Sequence, residues 1–406
     1  MTPRLLAAVF LPFAAGYYTS FLFRNVNSVV FPELTTEFDL SPGTLGLLTS
    51  VYFLTFAGAQ LPLGLLIDRY GPRRVNATML LVAALGGVVF AFAAGLPALL
   101  AGRALIGAGV AVCLMASITV FALWFPHERL ATLTGWMLLV GSIGALSATK
   151  PVELALRVID WRTLFLMLSG LAVCASLAIF LTVPEKPAVA SGATLRRQIA
   201  AVGAILRYRG FWTIGLASAF VQATGLGLLG LWAGPWMRDV AGLDRAAMAQ
   251  DLLFAAGAIG VGGVLCGTLS DRLAQSGVAP LRTFFAGCVA STVVMIPIVL
   301  GWGAASLVLW ILFMALCPFG VLAFPLLAAR FPRELTGRVV TALNMVVFLL
   351  AFAVQYGVGV IIGLWPVTDD GRYALEGYRA AFGLCWVLQA ASVAWLVYAE
   401  RAALRR

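Results

Sequence analysis

The stretch Gly64–Arg74 reads GLLIDRYGPRR and stands between two long apolar runs. Its Gly71-Pro72 pair is typical of a tight turn, because glycine tolerates a positive φ and proline fits the first position of a helix. Three arginines lie within the same stretch. Arginines gather in the short cytoplasmic connections of membrane proteins. The stretch therefore predicts a basic turn that joins two membrane-spanning helices.

The composition of the whole chain supports a membrane protein. Of its 406 residues, 62% are hydrophobic and 11% are charged, and the mean hydropathy is +1.00. A soluble domain of this size needs far more charge to cover its surface. The net charge of +10 does not indicate nucleic-acid binding, since the cations recur in short runs between apolar stretches. We expect the lipid bilayer, and no nucleic acid, as a partner.

Counting apolar runs of about 20 residues predicts twelve transmembrane helices and an all-α integral membrane fold. The predicted spans are 5–31, 42–66, 76–96, 98–124, 131–157, 163–183, 210–236, 249–269, 282–302, 304–329, 338–364 and 378–398. The first run is too long for the core of a signal peptide and is interpreted as the first span.

A short internal repeat divides the chain into two halves. The segment Gly64–Arg69, GLLIDR, recurs about half a chain later as Gly267–Arg272, GTLSDR. The repeat predicts two pseudo-symmetric six-helix bundles, 1–183 and 210–406, joined by a cytoplasmic linker, 184–209. Most cations then fall on one side of the membrane, which predicts a multi-pass protein of the inner (plasma) membrane with both termini cytoplasmic.

Four motifs resemble the major facilitator superfamily. Gly64–Arg74 resembles its signature loop between helices 2 and 3, and Arg103–Gly109, Trp124–Arg129 and Asp160–Phe165 resemble its motifs near helices 4 to 6. The resemblance implies a monomeric transporter whose two halves rock around a central site, which is alternating access. It implies a gating role for Gly64, Asp68, Arg69, Gly71 and Arg73, and for Asp271 and Arg272 in the second half.

Charged residues inside the predicted spans are candidates for a substrate site, because burying a charge in a bilayer is costly. Three cations qualify, namely Arg24, Arg103 and Lys150, against one carboxylate clearly within a span, Glu153. The surplus predicts an anionic substrate, which arginine suits through paired hydrogen bonds. Alternative roles remain open: Arg24 snorkelling to the surface, Arg103 bonded to backbone carbonyls, and Lys150 paired with Glu153.

The segment Tyr17–Ser28 is similar to helix 1 of the organic anion:cation symporters within that superfamily. Arg24 matches their substrate-binding arginine, while Phe23 stands where they usually carry an acid. Nitrate transporters use an arginine in helix 2, and residues 51–65 hold none. Other polar candidates for the site, which could equally bond other helices, are Tyr17, Tyr18, Asn25, Asn27, Gln222, Asn344 and Gln355.

These features predict a secondary active transporter of a small organic anion, coupled to protons. The proton carrier would be Glu153, Asp68 or the substrate's own carboxylate. One histidine, His127, and cysteines without ligand spacing predict no metal, cofactor or catalytic group. The alternatives are an exporter of amphipathic compounds, a peptide transporter, and a transporter-like sensor.

Overall fold

The computed structural model describes residues 3–185, 194–332, 335–368 and 370–404, and within these ranges every regular element is helical. Twelve helical stretches are long and apolar enough to cross a membrane, which confirms the predicted all-α fold and its number of spans. Spans 1 to 12 are Leu6–Asn25, Pro42–Tyr70, Pro72–Ala91, Leu96–Trp124, Thr132–Ala155, Trp161–Thr182, Arg209–Asp239, Arg245–Gln275, Pro280–Leu300, Gly303–Ala328, Thr336–Ile362 and Leu375–Ala399.

Spans 7 and 8 are among those that are longer than expected. Span 7 continues past residue 236 to Asp239, and span 8 begins at Arg245 instead of 249. The side chain of Asp244 caps span 8, since its Oδ1 accepts a hydrogen bond of 2.8 Å from the Ala247 amide. Apolar periodicity marks the part of a helix that faces lipid, whereas caps decide where the helix itself begins and ends.

The turn between spans 2 and 3 follows the expected chemistry. Gly71 has a φ of +81°, and Pro72 is the first residue of the following helix. Arg73 donates to the backbone carbonyl of Phe180 in span 6, and its Nη1 lies 3.5 Å from the Glu185 carboxylate. The turn is therefore held to the end of span 6.

Several spans are interrupted. Near span 1 a helix ends at Asn25 and the next one, Asn27–Phe38, begins after a single residue. The helices of the other interrupted spans are Leu96–Val110 and Cys113–Trp124 in span 4, His127–Ser147 and Lys150–Ala155 in span 5, a π-helical turn Leu228–Trp232 in span 7, and a 3-10 turn Cys317–Leu322 in span 10. Each interruption releases backbone groups that must find partners inside the protein.

The chain divides into two compact units. One contains Met1–Asp39 and Val51–Gln198, and the other contains Leu40–Ser50 and Ile199–Arg406. The domain boundaries drawn from sequence, 1–183 and 210–406, stay a prediction, and residues 186–193 of the linker lie outside the described residues.

The internal repeat is visible in the packing within each unit. In the first unit, span 1 packs on spans 5 and 6, and span 3 packs on spans 4 and 6. In the second unit, span 7 packs on spans 11 and 12, and span 9 packs on spans 10 and 12. Each of these pairs in the first unit has its counterpart six spans later, so the two bundles share this part of their packing.

Candidate functional site

Arg24 lies at the end of the first helix, next to the interruption at Asn25, and is half-buried. Its Nε donates a hydrogen bond of 3.3 Å to the phenol oxygen of Tyr52 in span 2. The guanidinium carbon lies 4.6 Å from the ring centre of Phe21 and 5.3 Å from that of Phe56. Aromatic faces attract cations, so these rings stabilise the charge without neutralising it.

Arg103, in span 4, is bonded to the backbone of span 1. Its side chain is 2% exposed, and its Nη1 and Nη2 donate to the carbonyls of Phe23 and Arg24 at 2.6 and 3.1 Å. These carbonyls belong to the last turn of the helix that ends at Asn25, where carbonyls lack intrahelical donors. A cation is favourable there because it also opposes the helix dipole. Arg103 therefore fixes the backbone that carries Arg24.

The two arginines meet at one aromatic ring. The guanidinium carbons of Arg24 and Arg103 lie 5.8 and 4.8 Å from the ring centre of Tyr52, whose side chain is fully buried. The Nε of Arg103 is buried and has no acceptor among the described residues. Two positive charges close together in an apolar interior repel each other, so a negative charge bound there would be stabilised.

Sequence reasoning missed Tyr52. A tyrosine in an apolar run is ordinary and does not by itself indicate a site. The one available signal was the phenol itself, because a buried tyrosine hydroxyl normally has a hydrogen-bond partner.

Tyr17 and Tyr18 lie one to two turns before Arg24. Tyr17 is 5% exposed, and its ring centre lies 5.0 Å from that of Phe21. Span 5 approaches them through two glycines: a Cβ added at Gly141 would lie 2.7 Å from the Tyr17 ring, and one at Gly144 would lie 2.6 Å from the Tyr18 carbonyl. Tyr17 thus packs against Phe21, whose ring in turn contacts the guanidinium of Arg24.

The two asparagines beside Arg24 differ in their surroundings. Asn25 is half-buried and donates from Nδ2 to the Phe21 carbonyl at 2.9 Å. Asn27 is fully buried, and neither atom of its amide group has a hydrogen-bond partner among the described residues. A buried amide without partners is rare in proteins and usually bonds water or a ligand.

Lys150 belongs to an ion-pair cluster at the start of the short helix Lys150–Ala155. Its Nζ lies 2.9 Å from one oxygen of Glu153, and Nη2 of Arg157 lies 2.8 Å from the other. The Glu153 side chain is 2% exposed, while that of Arg157 is 55% exposed. The alternative interpretation of Lys150, as the partner of Glu153, agrees with this geometry. The cluster as a whole carries one net positive charge.

The polar candidates of the second half lie in the second unit. Gln222 donates from Nε2 to the Ser218 hydroxyl at 2.9 Å, and Asn344 is half-buried in span 11. Gln355 is 1% exposed, and its side-chain oxygen has no partner among the described residues. Its backbone carbonyl accepts a hydrogen bond of 2.8 Å from the Trp232 indole.

Asp239, the last residue of span 7, is a buried carboxylate that the sequence did not single out. Its side chain is fully buried at the end of span 7. It accepts from the Arg238 guanidinium at 2.5 Å, from the Tyr378 hydroxyl at 2.8 Å and from the Tyr373 amide at 3.1 Å. The sequence missed it because the predicted span ended at residue 236. Asp239 fastens span 7 to the start of span 12.

The residues of the signature motif differ between the halves. Asp68 is half-buried, Arg69 is exposed with its guanidinium 5.3 Å from the Tyr70 ring centre, and Arg73 is bonded to span 6 as described above. Asp271 and Arg272 in the second half are both exposed. Within each unit, only the first-half motif is tied to a neighbouring span by its described contacts.

A carboxylate outside the spans joins the helix Asn27–Phe38 to the start of span 6. Glu37 accepts hydrogen bonds of 2.8 Å from the Trp161 indole and from Arg162. The bond from Arg162 holds the pKa of the Glu37 carboxyl below its usual value. Asp160 caps span 6 by accepting from the Thr163 amide at 2.7 Å, and hydrogen bonds from the side chain and the amide of Thr163 lower the pKa of Asp160.

These features define a polytopic membrane protein with a buried, positively charged site in its first unit. Comparison with known proteins gives the family. The model of the Major Facilitator Superfamily matches residues 13–355, and the chain belongs to that family.

Named relatives and a solved structure agree with this assignment. The hexuronate transporter of Escherichia coli strain K12 is 26% identical over 262 residues, covering 61% of this chain and 60% of that protein. The probable sulfoacetate transporter SauU of Cupriavidus necator is 24% identical over 272 residues, covering 63% of each. The crystal structure of a bacterial homologue of the human lysosomal transporter Spinster superposes with a TM-score of 0.79 at 18% identity, covering 100% of this chain and 98% of that one. All three are transporters by name, and the chain spans less than two thirds of the length of the two curated relatives.

Proposed function

We propose that this chain is a secondary active transporter of a small organic anion, coupled to protons and working by alternating access. In this proposal it functions as a monomer in the inner (plasma) membrane, with both termini in the cytoplasm. The observation that carries the proposal is the placement of Arg24 and Arg103 at one buried ring, that of Tyr52.

The chemistry of two guanidinium groups favours an anion. A guanidinium binds a carboxylate or sulfonate through parallel, charge-assisted hydrogen bonds. Such a ligand would relieve the repulsion between Arg24 and Arg103, and it would accept from the buried Arg103 Nε. The two relatives named above carry hexuronate and sulfoacetate in their names, and both molecules bear a carboxylate.

The residues divide into distinct roles. Arg24 binds the anion, and Arg103 and Tyr52 position Arg24 through the carbonyl and phenol contacts. Asn27, whose buried amide group has no partner in the described part of the chain, provides a hydrogen-bonding position for a hydroxylated substrate. Lys150 adds positive charge through its cluster with Glu153 and Arg157. The remaining polar candidates, which would complete the site, are Tyr17, Tyr18, Asn25, Gln222, Asn344 and Gln355.

The proton carrier in this proposal is Glu153, Asp68 or the carboxylate of the substrate. Replacing Glu153 or Asp68 by the corresponding amide removes one carrier at a time. Proton uptake into liposomes, measured together with substrate uptake, tests each choice. A variant that no longer moves protons but still exchanges substrate identifies the replaced residue as the proton carrier. If both amide variants still move protons with the substrate, the carrier is the carboxylate of the substrate.

Ligand binding tests the substrate class. Purified full-length protein is heated with glucuronate, galacturonate or sulfoacetate, and in parallel with glucose and galactose as neutral counterparts of matched shape. A ligand that binds the folded state raises the melting temperature. We expect stabilisation by the anions alone. Equal stabilisation by the neutral sugars, or stabilisation only by amphipathic cations or dipeptides, would overturn the proposal in favour of an exporter or peptide transporter.

A further inference from the structure

The helix Leu195–Arg207 lies outside the twelve spans but next to the membrane. It ends two residues before Arg209, where span 7 begins. Because Tyr208 alone separates the two helices, the end of the Leu195–Arg207 helix is held at the membrane boundary. It also bonds the start of the span, since the Trp212 indole donates to the Leu206 carbonyl at 2.6 Å.

One face of this helix is apolar and only partly covered. Ile199, Val202 and Leu206 recur at intervals of three and four residues, which places them on one side. Val202 is 4% exposed, whereas Ile199 is 53% exposed. The apolar face therefore packs against the protein along one edge and leaves Ile199 uncovered.

The other face is basic. Arg196, Arg197 and Arg207 are all exposed, and Arg196 and Arg207 lie almost in line along the helix because they are about three turns apart. The sequence from Thr194 to Arg209 contains no acidic residue. The positive charge of this face is therefore not balanced within the segment.

We propose that the Leu195–Arg207 helix lies in the membrane surface and binds the headgroups of anionic phospholipids. A helix with a partly uncovered apolar face beside a basic face is typical of interfacial binding. Ile199 enters the boundary of the acyl chains, while Arg196, Arg197 and Arg207 donate to lipid phosphates. The positive charge of the three arginines favours an anionic lipid over a zwitterionic one. The covalent link to span 7 keeps the helix at the level of the lipid headgroups.

The test uses purified full-length protein in neutral detergent, titrated with phosphatidylglycerol or with phosphatidylcholine while its melting temperature is followed. We expect phosphatidylglycerol alone to stabilise the wild type. In the triple variant R196Q/R197Q/R207Q the concentration of phosphatidylglycerol for half-maximal stabilisation should rise by roughly fivefold for each arginine removed. Ile199→Ser should raise it as well, although the charge is unchanged.

A matched control removes the same charge elsewhere. The variant R282Q/R330Q/R338Q loses two arginines from the first turns of spans 9 and 11 and one from the connection after span 10, and it should titrate like the wild type. An equal loss in the control, equal stabilisation by phosphatidylcholine, or the same effect from inorganic phosphate alone would overturn the proposal. An unaffected Ile199→Ser variant would overturn it too, because the helix would then not enter the bilayer surface. None of these results depends on the transported substrate.

Discussion

The phenol oxygen of Tyr52 holds the Nε of Arg24 at 3.3 Å, from span 2 across to the end of the first helix. The Nε of Arg24 thus donates to a neutral group, which does not change the charge of the guanidinium. A tyrosine can therefore fix the direction of a buried arginine without cancelling the attraction of that arginine for an anion.

Arg24→Ala should weaken anion binding strongly while leaving the fold intact, because Arg24 is half-buried at a helix end. Losing charge-assisted hydrogen bonds of about 1.5–3 kcal/mol corresponds to roughly 10- to 100-fold weaker binding. Arg24→Lys should recover part of the affinity, since a lysine keeps the charge but not the paired geometry. Titration calorimetry with the stabilising anion measures both. Unchanged affinity in Arg24→Ala would remove Arg24 from the site.

Tyr52→Phe should weaken anion binding by about fivefold, because Arg24 loses one hydrogen bond of ~1 kcal/mol that orients it. The buried ring and its contacts with both guanidinium groups remain, so the melting temperature should change little. Tyr398→Phe, at a side chain that is 65% exposed, serves as the matched control. A large loss of stability together with unchanged affinity would mean that the phenol has a structural role alone.

Arg103→Ala should destabilise the protein more than Arg24→Ala does. It leaves the carbonyls of Phe23 and Arg24 without their donor in the interior, at a cost of about 1–3 kcal/mol for each buried group. Arg103→Lys should restore part of the stability. Melting temperatures and anion affinity per folded protein are compared across the three variants. If Arg103→Ala has the melting temperature of the wild type, the hydrogen bonds from Arg103 to span 1 are not needed for the fold.

Gly107→Ala should destabilise the contact between spans 4 and 2. A Cβ at Gly107 would lie 2.5 Å from the Tyr52 carbonyl and 2.9 Å from its Cα, which are backbone atoms that cannot rotate away. Gly58→Ala in span 2 is the control, because a Cβ there meets nothing within 4 Å. We expect a lower melting temperature for Gly107→Ala only. Equal melting temperatures of the two variants would show that spans 2 and 4 can move apart at little cost in stability.

The Glu37 cluster predicts a stability difference that depends on pH. The folded-state pKa of Glu37 is depressed by Arg162, so its contribution is present above the unfolded value of about 4.5 and is lost as pH falls below it. The difference in melting temperature between wild type and Glu37→Gln should therefore shrink from pH 7 to pH 4. The effect is small, below about 1 kcal/mol, because both partners are more than one third exposed. If the difference in melting temperature between wild type and Glu37→Gln stays constant from pH 7 to pH 4, the ion pair between Glu37 and Arg162 does not stabilise the fold.

Much of the fold could be predicted from the length of the apolar runs. The charged residues of the candidate site could be predicted because charges are rare within those runs. Arg24 and Arg103 stood out because a bilayer rarely tolerates an arginine. The pairing of Lys150 with Glu153 follows from helical spacing. Tyr52 and Asp239 could not be found this way. Tyr52 is a common residue type in a span, and Asp239 lies just beyond the last apolar residue of its helix.

The two bonds from Arg103 to the carbonyls of Phe23 and Arg24 have a consequence for the location of the site. A helix that stops inside a bilayer normally needs water at its end, and water would screen any bound charge. The guanidinium takes the place of that water. The end of the helix therefore carries a fixed positive charge beside the site, which strengthens the attraction of this region for a bound anion.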